Sequence, residues 1–211
     1  MANNAVAYPN PLAVLDPPKK EPRLFTLAEY LRKEENSKDL HEYYDGQIIK
    51  LPMAKGPHNF IVLNIGTELK IHFRQLNKKY RVTGAQQMVY SIKMNTSLYP
   101  DIIVVAEQPV YLNDGDDFII NPILIFEVLS RSTRRYDLTD KFTIYKTFSS
   151  LKEYVTVDTK KYHVKTNFRE EPNLWREEEY SGLSESVILK SIGFDFPMSM
   201  IYDEIEIKTK K

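Results

Sequence analysis

The chain has 211 residues, and its 29 basic and 29 acidic side chains give a formal net charge of zero at pH 7. Bulk electrostatics therefore does not attract the protein to a polyanion, so any binding of nucleic acid must depend on local basic patches. Cysteine is absent, which excludes disulfides and thiolate chemistry. No membrane-length apolar stretch or signal-peptide core is visible, so we expect a cytoplasmic protein without a membrane partner.

Composition divides the chain into three parts. Residues 1–23 contain five prolines and little that could be buried, which predicts a flexible N-terminal arm. We expect residues 24–205 to form a single domain, followed by a polar tail at 206–211.

The first predicted elements are two helices with a hairpin between them. Thr26, with Glu29 three residues later, has the pattern of a capping box that opens a helix ending near Asn36. Asp45 and Gly46 precede an apolar run, which predicts a β-hairpin. Apolar residues at helical spacing from His58 predict a long helix ending before residue 77.

The rest of the domain is dominated by predicted strands. Residues 80–92, 98–106 and 122–130 each indicate one strand, the last apolar on both faces as a central strand would be. A helix capped by Ser132 or Thr133 and reaching about residue 148 precedes a strand at 153–158, which predicts a right-handed crossover. Residues 162–168, 175–180 and 187–189 indicate an antiparallel meander.

Two carboxylates stand beside or inside apolar runs. Asp101 follows Pro100 and precedes four β-branched residues, and Glu127 lies within the run 123–129. Ionised carboxylates are rarely buried unless they are paired or bind a metal, which points to a shared cation or base. Alternatively, Asp101 marks the start of a strand and Glu127 pairs with a surface base.

Lys141 follows these acids after a polar turn. Two carboxylates and one lysine are what metal-dependent phosphodiester hydrolysis needs, because hard oxygen ligands hold Mg²⁺ or Mn²⁺ while a lysine orients water or offsets charge. The other interpretation of Lys141 is a helical ion pair with Asp137, four residues earlier.

Weaker candidates surround this group. His58, at a helix start, either faces the site or has a structural role, and Glu42 beside the hairpin is a supporting candidate. Arg131, Arg134 and Arg135 follow Glu127 in a turn rich in hydroxyl groups, where they either bind phosphates or are simply solvated.

A set of residues in a fixed order carries a family resemblance. The chain resembles the PD-(D/E)XK nuclease superfamily, specifically its restriction-endonuclease-like Uma-two branch, over about residues 25–158. The residues are Phe25, Thr26, Glu29, Tyr30, Leu31, Glu42, Asp45, Gly46, His58, Pro100, Asp101, Glu127, Val128, Leu129, Ser130, Asp137, Lys141, Tyr145, Glu153 and Tyr154.

The resemblance implies a set of roles. Asp101 and Glu127 would be metal ligands, and Val128 would add its backbone carbonyl. The superfamily's lysine normally stands two residues after the glutamate, where this chain has Leu129. In this branch Lys141, on the next helix, would replace it, since a long lysine stem can bring its ammonium to the same point.

The expected fold class is therefore α/β, a restriction-endonuclease-like core with a mixed central β-sheet flanked by helices plus a C-terminal antiparallel meander. The expected function is Mg²⁺- or Mn²⁺-dependent endonuclease cleavage of DNA by a homodimer, because a double-strand cut usually needs two sites. The alternative is a catalytically inactive binding protein that keeps the nuclease fold and acts through a protein or nucleic-acid partner.

Overall fold

The computed structural model of the protein describes residues 23–54, 56–84, 86–130 and 133–207. The predicted arm lies outside these residues except for Arg23, as do Arg131, Ser132 and the last four residues of the predicted tail. The helices are α1 (Leu27–Glu35), α2 (Gly56–Gln75), α3 (Arg134–Tyr136), α4 (Phe142–Tyr145) and α5 (Met198–Ile201). The strands are β1 (His41–Tyr44), β2 (Gln47–Lys50), β3 (Tyr80–Gly84), β4 (Met88–Ser91), β5 (Thr96–Leu98), β6 (Ile102–Ala106), β7 (Phe118–Ile119), β8 (Leu124–Leu129), β9 (Glu153–Asp158), β10 (His163–Glu171), β11 (Leu174–Ser181), β12 (Ser186–Leu189) and β13 (Phe194–Pro197).

The local signals near the N-terminus are confirmed. The Thr26 hydroxyl accepts from the Glu29 backbone N–H, and the Glu29 carboxylate accepts from the Thr26 N–H, so the predicted capping box opens α1. Asp45 and Gly46 both have positive φ between β1 and β2, as a two-residue hairpin turn requires. The predicted long helix is α2.

The central sheet has six strands in the order β11-β10-β9-β8-β6-β3. Strand β8 pairs in parallel with β9 and antiparallel with β6, which makes the sheet mixed, as expected. A second sheet has the order β2-β1-β5-β4-β7. Within the described ranges, none of the helices is long and apolar enough to cross a membrane.

Two predicted strands were wrong, because the chain passes between the sheets inside each of them. Residues 80–92 form β3 in the central sheet and β4 in the second sheet, and residues 98–106 include part of β5 and all of β6. Gly84 permits this crossing: a Cβ at this position would lie 2.1 Å from the Asp101 carbonyl oxygen. Pro100 lies between β5 and β6. It has no backbone N–H to donate to a neighbouring strand, so it interrupts the strand hydrogen bonds at this point.

The predicted helix after β8 is irregular. Residues 137–141 form a π-helical turn between α3 and α4, and α4 ends at Tyr145 rather than near residue 148. Thr133 occupies the N-cap position, but its hydroxyl contacts the Ser130 hydroxyl and makes no cap hydrogen bond. Single π-helical turns often occur at functional sites, and this one contains Asp137 and Lys141.

The C-terminal meander is present in part. Strands β10 and β11 extend the central sheet antiparallel from β9. Strand β12, predicted as the next strand of the meander, instead pairs with β13 in a separate hairpin. The Glu153 carboxylate joins this hairpin to the sheet by accepting from the Ser191 backbone N–H and hydroxyl, at 3.0 and 2.7 Å.

The central sheet carries a core on each face. Leu124, Phe126 and Val128 pack on the side of α2 and α5, in a cluster that also contains β12 and β13 residues. Ile125 packs on the other side with Tyr145 and Leu151. Because side chains alternate along a strand, Glu127 lies on the face of Ile125, toward α4.

Candidate active site

Asp101 is placed beside β8 by the register of the central sheet. Ile102 pairs with Phe126 across β6 and β8, so the residue before Ile102 lies next to Glu127. The Oδ2 atom of Asp101 accepts a hydrogen bond of 2.7 Å from the Val128 backbone N–H. The two predicted acids are therefore neighbours at the point where the chain enters β6.

His58, in the first turn of α2, contacts the Asp101 carboxylate. Its Nε2 lies 3.1 Å from Oδ1 and 3.2 Å from Oδ2. Burial by itself would lower the pKa of His58, but the hydrogen bond and charge of Asp101 outweigh it, so the pKa is raised. The cationic form of His58 is thus favoured beside Asp101.

Glu127 is buried and has two side-chain donors on one oxygen. Its Oε1 accepts from the Lys141 ammonium at 2.9 Å and from the Tyr145 hydroxyl at 2.6 Å. Burial raises the pKa of Glu127 well above its ordinary value, the charges of Asp101 and Asp137 add to this, and Lys141 opposes it. Burial therefore opposes ionisation of Glu127, whereas Lys141 and any further cation bound beside it favour the ionised form.

Lys141 connects three carboxylates. Besides Glu127, its Nζ lies 3.3 Å from Glu42 Oε1 and 3.6 Å from Asp137 Oδ1, and all four side chains are nearly buried. Burial disfavours the charged ammonium, but the three acids raise the pKa of Lys141 well above its ordinary value. The ion pair with Asp137 thus exists, but Glu127 is the nearer partner.

Glu42 brings the second sheet into the site. Its Oε2 accepts from the hydroxyls of Tyr44 and Tyr136, and its Oε1 accepts from the Tyr99 backbone N–H at 3.3 Å. Since Tyr99 lies two residues before Asp101, Glu42 also holds the segment that carries Asp101. It lies in the same network as Lys141.

The site contains more acid than base. Glu127, Asp137 and Glu42 pair with the one ammonium of Lys141, and Asp101 pairs with His58. If all four acids were ionised, negative charges would outnumber positive ones by two even with His58 protonated. Burial raises the pKa of Asp137 to about 6, although Lys141 and Thr133 lower it. Protons or an additional cation must offset this excess.

The donor chemistry fits a magnesium ion at Asp101 and Glu127. Among the described residues there is no group of three or more His, Asp or Glu side chains that could hold a metal ion. Mg²⁺ does not require one, since it is usually bound by one or two carboxylates together with water and substrate phosphates. The Val128 N–H points to Asp101, and its carbonyl points to the same side because the two groups of one strand residue do so.

Of the three arginines predicted to bind phosphates, the structure describes Arg134 and Arg135. The Arg134 guanidinium donates to the buried Asp158 carboxylate at 2.6 Å, so its charge is already paired. Arg135 is exposed, and Arg131 lies outside the described residues.

The sequence did not reveal the tyrosines that donate to the acids. Tyr145 belongs to the family pattern without an assigned role, and Tyr136 is not part of that pattern. Both stand within five residues of Lys141, and this spacing is the signal that could have distinguished them among the 14 tyrosines of the chain. Asp137 belongs to the family pattern, but the sequence assigned it no role beyond a helical ion pair with Lys141.

A mixed sheet with paired acids at a strand entry and a lysine from the following helix defines a protein of the restriction-endonuclease-like class. A crystal structure described as a "putative nuclease belonging to DUF820", from Anabaena variabilis ATCC 29413, has the same fold. Its TM-score is 0.70 at 18% sequence identity, over 86% of this chain and 99% of that chain.

The chain belongs to the Uma2 family, described as "Putative restriction endonuclease", which matches residues 27–199. Two similar proteins come from Synechocystis sp. (strain PCC 6803), both described as uncharacterized. The protein sll1609 is 31% identical over 142 residues, covering 67% of this chain and 79% of its own length. The protein slr1290 is 31% identical over 176 residues, covering 82% of this chain and 89% of its own length.

Proposed function

We propose that the protein is a divalent-metal-dependent endonuclease that hydrolyses phosphodiester bonds in DNA. Asp101 and Glu127, with the Val128 carbonyl, would hold Mg²⁺ or Mn²⁺. When bound, such an ion polarises a phosphoryl oxygen and lowers the pKa of a water molecule. Membership of a restriction-endonuclease family and the nuclease fold support the reaction class.

The observation that carries the proposal is the hydrogen bond of 2.9 Å between Lys141 Nζ and Glu127 Oε1. Leu129 occupies the usual lysine position of the superfamily, yet an ammonium is still placed beside the second acid. Lys141 can orient a water molecule and stabilise the charge that develops on the phosphoryl group. Its three acid partners keep it protonated, so in its resting state it donates protons in hydrogen bonds rather than acting as a base.

His58 and Glu42 position these groups. His58 donates to Asp101 and thereby fixes the direction of its carboxylate, and Glu42 forms an ion pair with Lys141. Removing one of them should weaken cleavage, while removing Asp101, Glu127 or Lys141 should abolish it.

The test is cleavage of supercoiled plasmid and single-stranded DNA with Mg²⁺, Mn²⁺ or no metal. The native protein is compared with Asp101→Asn, Glu127→Gln and Lys141→Ala. Glu153→Gln is the matched control, because Glu153 is also a buried glutamate of the central sheet but binds Ser191 outside the site. Circular dichroism checks that each variant is folded.

Metal-dependent cleavage by the native protein and the control, but by none of the three folded variants, would support the proposal. Cleavage that survives in Asp101→Asn or Glu127→Gln would overturn the assignment of the site. If nothing is cut and neither metal raises the melting temperature, the protein is instead the catalytically inactive binding protein considered from the sequence.

We further propose a homodimer as the active form, since each chain supplies one acidic site and a double-strand break requires two cuts. Sedimentation of the native protein with and without duplex DNA tests this. The proposed homodimer would be contradicted if the protein sediments as a monomer with and without duplex DNA and still linearises plasmid in one binding event.

A further inference from the structure

A basic pocket lies between the C-terminal end of α2 and strand β3, away from the acidic site. It has a volume of about 460 Å³. Of the described residues that line it, four are cationic and none is acidic. The lining consists of Lys70, Phe73, Arg74, Asn77, Lys78, Tyr80, Arg81 and Val82.

The four cations are not neutralised by carboxylates. Within the described parts of the chain, no ion pair involves Lys70, Arg74, Lys78 or Arg81. Lys78 donates to the Ile192 carbonyl at 3.3 Å, and the Nε of Arg81 donates to the Glu107 carbonyl at 3.1 Å. These neutral partners position two of the side chains and leave their positive charge available.

Stability of the fold does not account for this arrangement. Lys70 and Arg74 are like charges four residues apart on α2, a spacing at which they repel each other. The helix dipole favours a cation in the last turn, where Arg74 lies, but Lys78 and Arg81 lie beyond the end of α2. Burial and the charge of Lys78 both lower the pKa of His72, which is consistent with a positive local potential.

We propose that this pocket binds backbone phosphates of the DNA duplex whose cleavage is proposed above. Lysine and arginine are the usual phosphate partners, and the planar fork of Arg74 suits two phosphate oxygens. In a protein with zero net charge, such a local patch is what binding to a polyanion requires.

The pocket and the acidic site are joined by α2. His58 is in its first turn and Arg74 in its last, a separation of roughly 24 Å at ~1.5 Å per residue. A duplex that advances ~3.4 Å per base pair would cover this distance in about seven base pairs. The pocket thus contacts the substrate at a distance from the cleaved bond and contributes affinity without base readout.

The test is DNA binding rather than cleavage. A fluorescently labelled duplex long enough to reach both sites is titrated with the intact chain in the absence of divalent metal, at several salt concentrations. The variant Arg74→Gln/Lys78→Gln removes two pocket charges. The matched control, Lys33→Gln/Lys93→Gln, removes two exposed charges that do not line the pocket.

We expect the pocket variant to bind more weakly to duplexes of unrelated sequence and its salt slope, log Kd against log salt, to fall by about two, one per lost phosphate contact. The control should keep the native slope. If both variants keep the native slope and affinity, the pocket is not a DNA contact, although metal-dependent cleavage could still stand. If the native chain does not cleave but the pocket variant loses duplex binding, the binding inference stands and the proposed cleavage fails.

Two further arms separate the sources of phosphate. Inorganic phosphate and a mononucleotide are titrated by calorimetry, and a duplex RNA is tested as a competitor. If inorganic phosphate or the mononucleotide binds tightly and duplex DNA does not displace it, the pocket is a site for free phosphate and the inference is overturned. Stronger binding of the RNA through Arg74 and Lys78 would overturn the choice of DNA.

Discussion

The Lys141 ammonium lies 2.9 Å from the Glu127 carboxylate, although 14 positions separate the two residues in sequence. The π-helical turn at 137–141 delivers the lysine onto the face of β8 from which Glu127 projects. Lys141, which the resemblance puts in the place of the superfamily's lysine, thus lies on a different element from the strand that carries Glu127.

Lys141→Met should lower the free energy of unfolding strongly at pH 7, by roughly 3–5 kcal/mol, because it leaves buried carboxylates without their cation. The loss should be smaller at pH 5, where the folded state can take up protons on these acids. Urea unfolding of the variant and the native chain at both pH values measures this loss of free energy. Lys146→Met, at an exposed lysine of the next turn, should have little effect. An equal loss at both pH values would contradict the ionised cluster.

Asp137→Asn should remove a pH-dependent contribution to stability. The pKa of Asp137 is raised to about 6 from 3.8, so between these values the folded state holds a proton that the unfolded state has released. The free energy of unfolding of the native chain therefore falls as pH rises through this window, and the variant lacks that fall. The free energy of unfolding, measured from about pH 4 to about pH 7, should rise with pH for the variant relative to the native chain. A difference that stays constant over this range would contradict the prediction.

Tyr145→Phe should impair cleavage while the chain stays folded. The variant removes the hydroxyl that donates to Glu127, a bond to a charged group that contributes ~1.5–3 kcal/mol when the glutamate is ionised. Tyr154→Phe is the matched control, since this tyrosine is equally buried but donates to the Asp137 backbone carbonyl. Both should lower thermal stability. Equal cleavage by the two variants would argue against a role for the Tyr145 hydroxyl.

Gly84→Ala should disturb the site through the backbone. The new Cβ would meet the Asp101 carbonyl oxygen at 2.1 Å, so the segment carrying Asp101 must move. We expect a destabilisation of about 1–3 kcal/mol, typical of overpacking, and reduced cleavage. Gly66→Ala, inside α2, places a Cβ that would meet nothing within 4 Å apart from its chain neighbours and the backbone of its own helix, so it should instead stabilise by ~0.5–1 kcal/mol. Thermal unfolding that ranks the two variants in the opposite order would refute the close approach at Gly84.

Local signals in the sequence were sufficient for the elements that depend on neighbouring residues. The capping box of α1, the Asp45-Gly46 turn, α2 and the apolar strands β8 and β9 were all predicted, because caps, turns and periodicity are short-range effects. The family pattern also placed Asp101, Glu127 and Lys141 in one site, through the order of residues.

The division of the strands between two sheets was decided only in three dimensions. Gly84 and Pro100 interrupt the strand propensity of residues 80–92 and 98–106, but an interruption alone does not show that the chain leaves one sheet for another there. The close approach of Gly84 and Asp101 belongs to this crossing and so could not be seen in advance. The contact between Glu42 and Lys141 could not be seen in advance either, because it depends on the position of β1 in the second sheet.

The electrostatic state of the site is likewise a property of the tertiary structure. A sequence shows how many acids and bases a chain has, but burial determines what their charges cost and distance determines which of them interact. Here four carboxylates and one lysine, drawn from strands of both sheets, a connecting loop and the helical segment, meet in a largely buried region. The pairing of Arg134 with Asp158, which the turn sequence did not indicate, was decided in the same way, because Asp158 reaches it from the neighbouring strand β9.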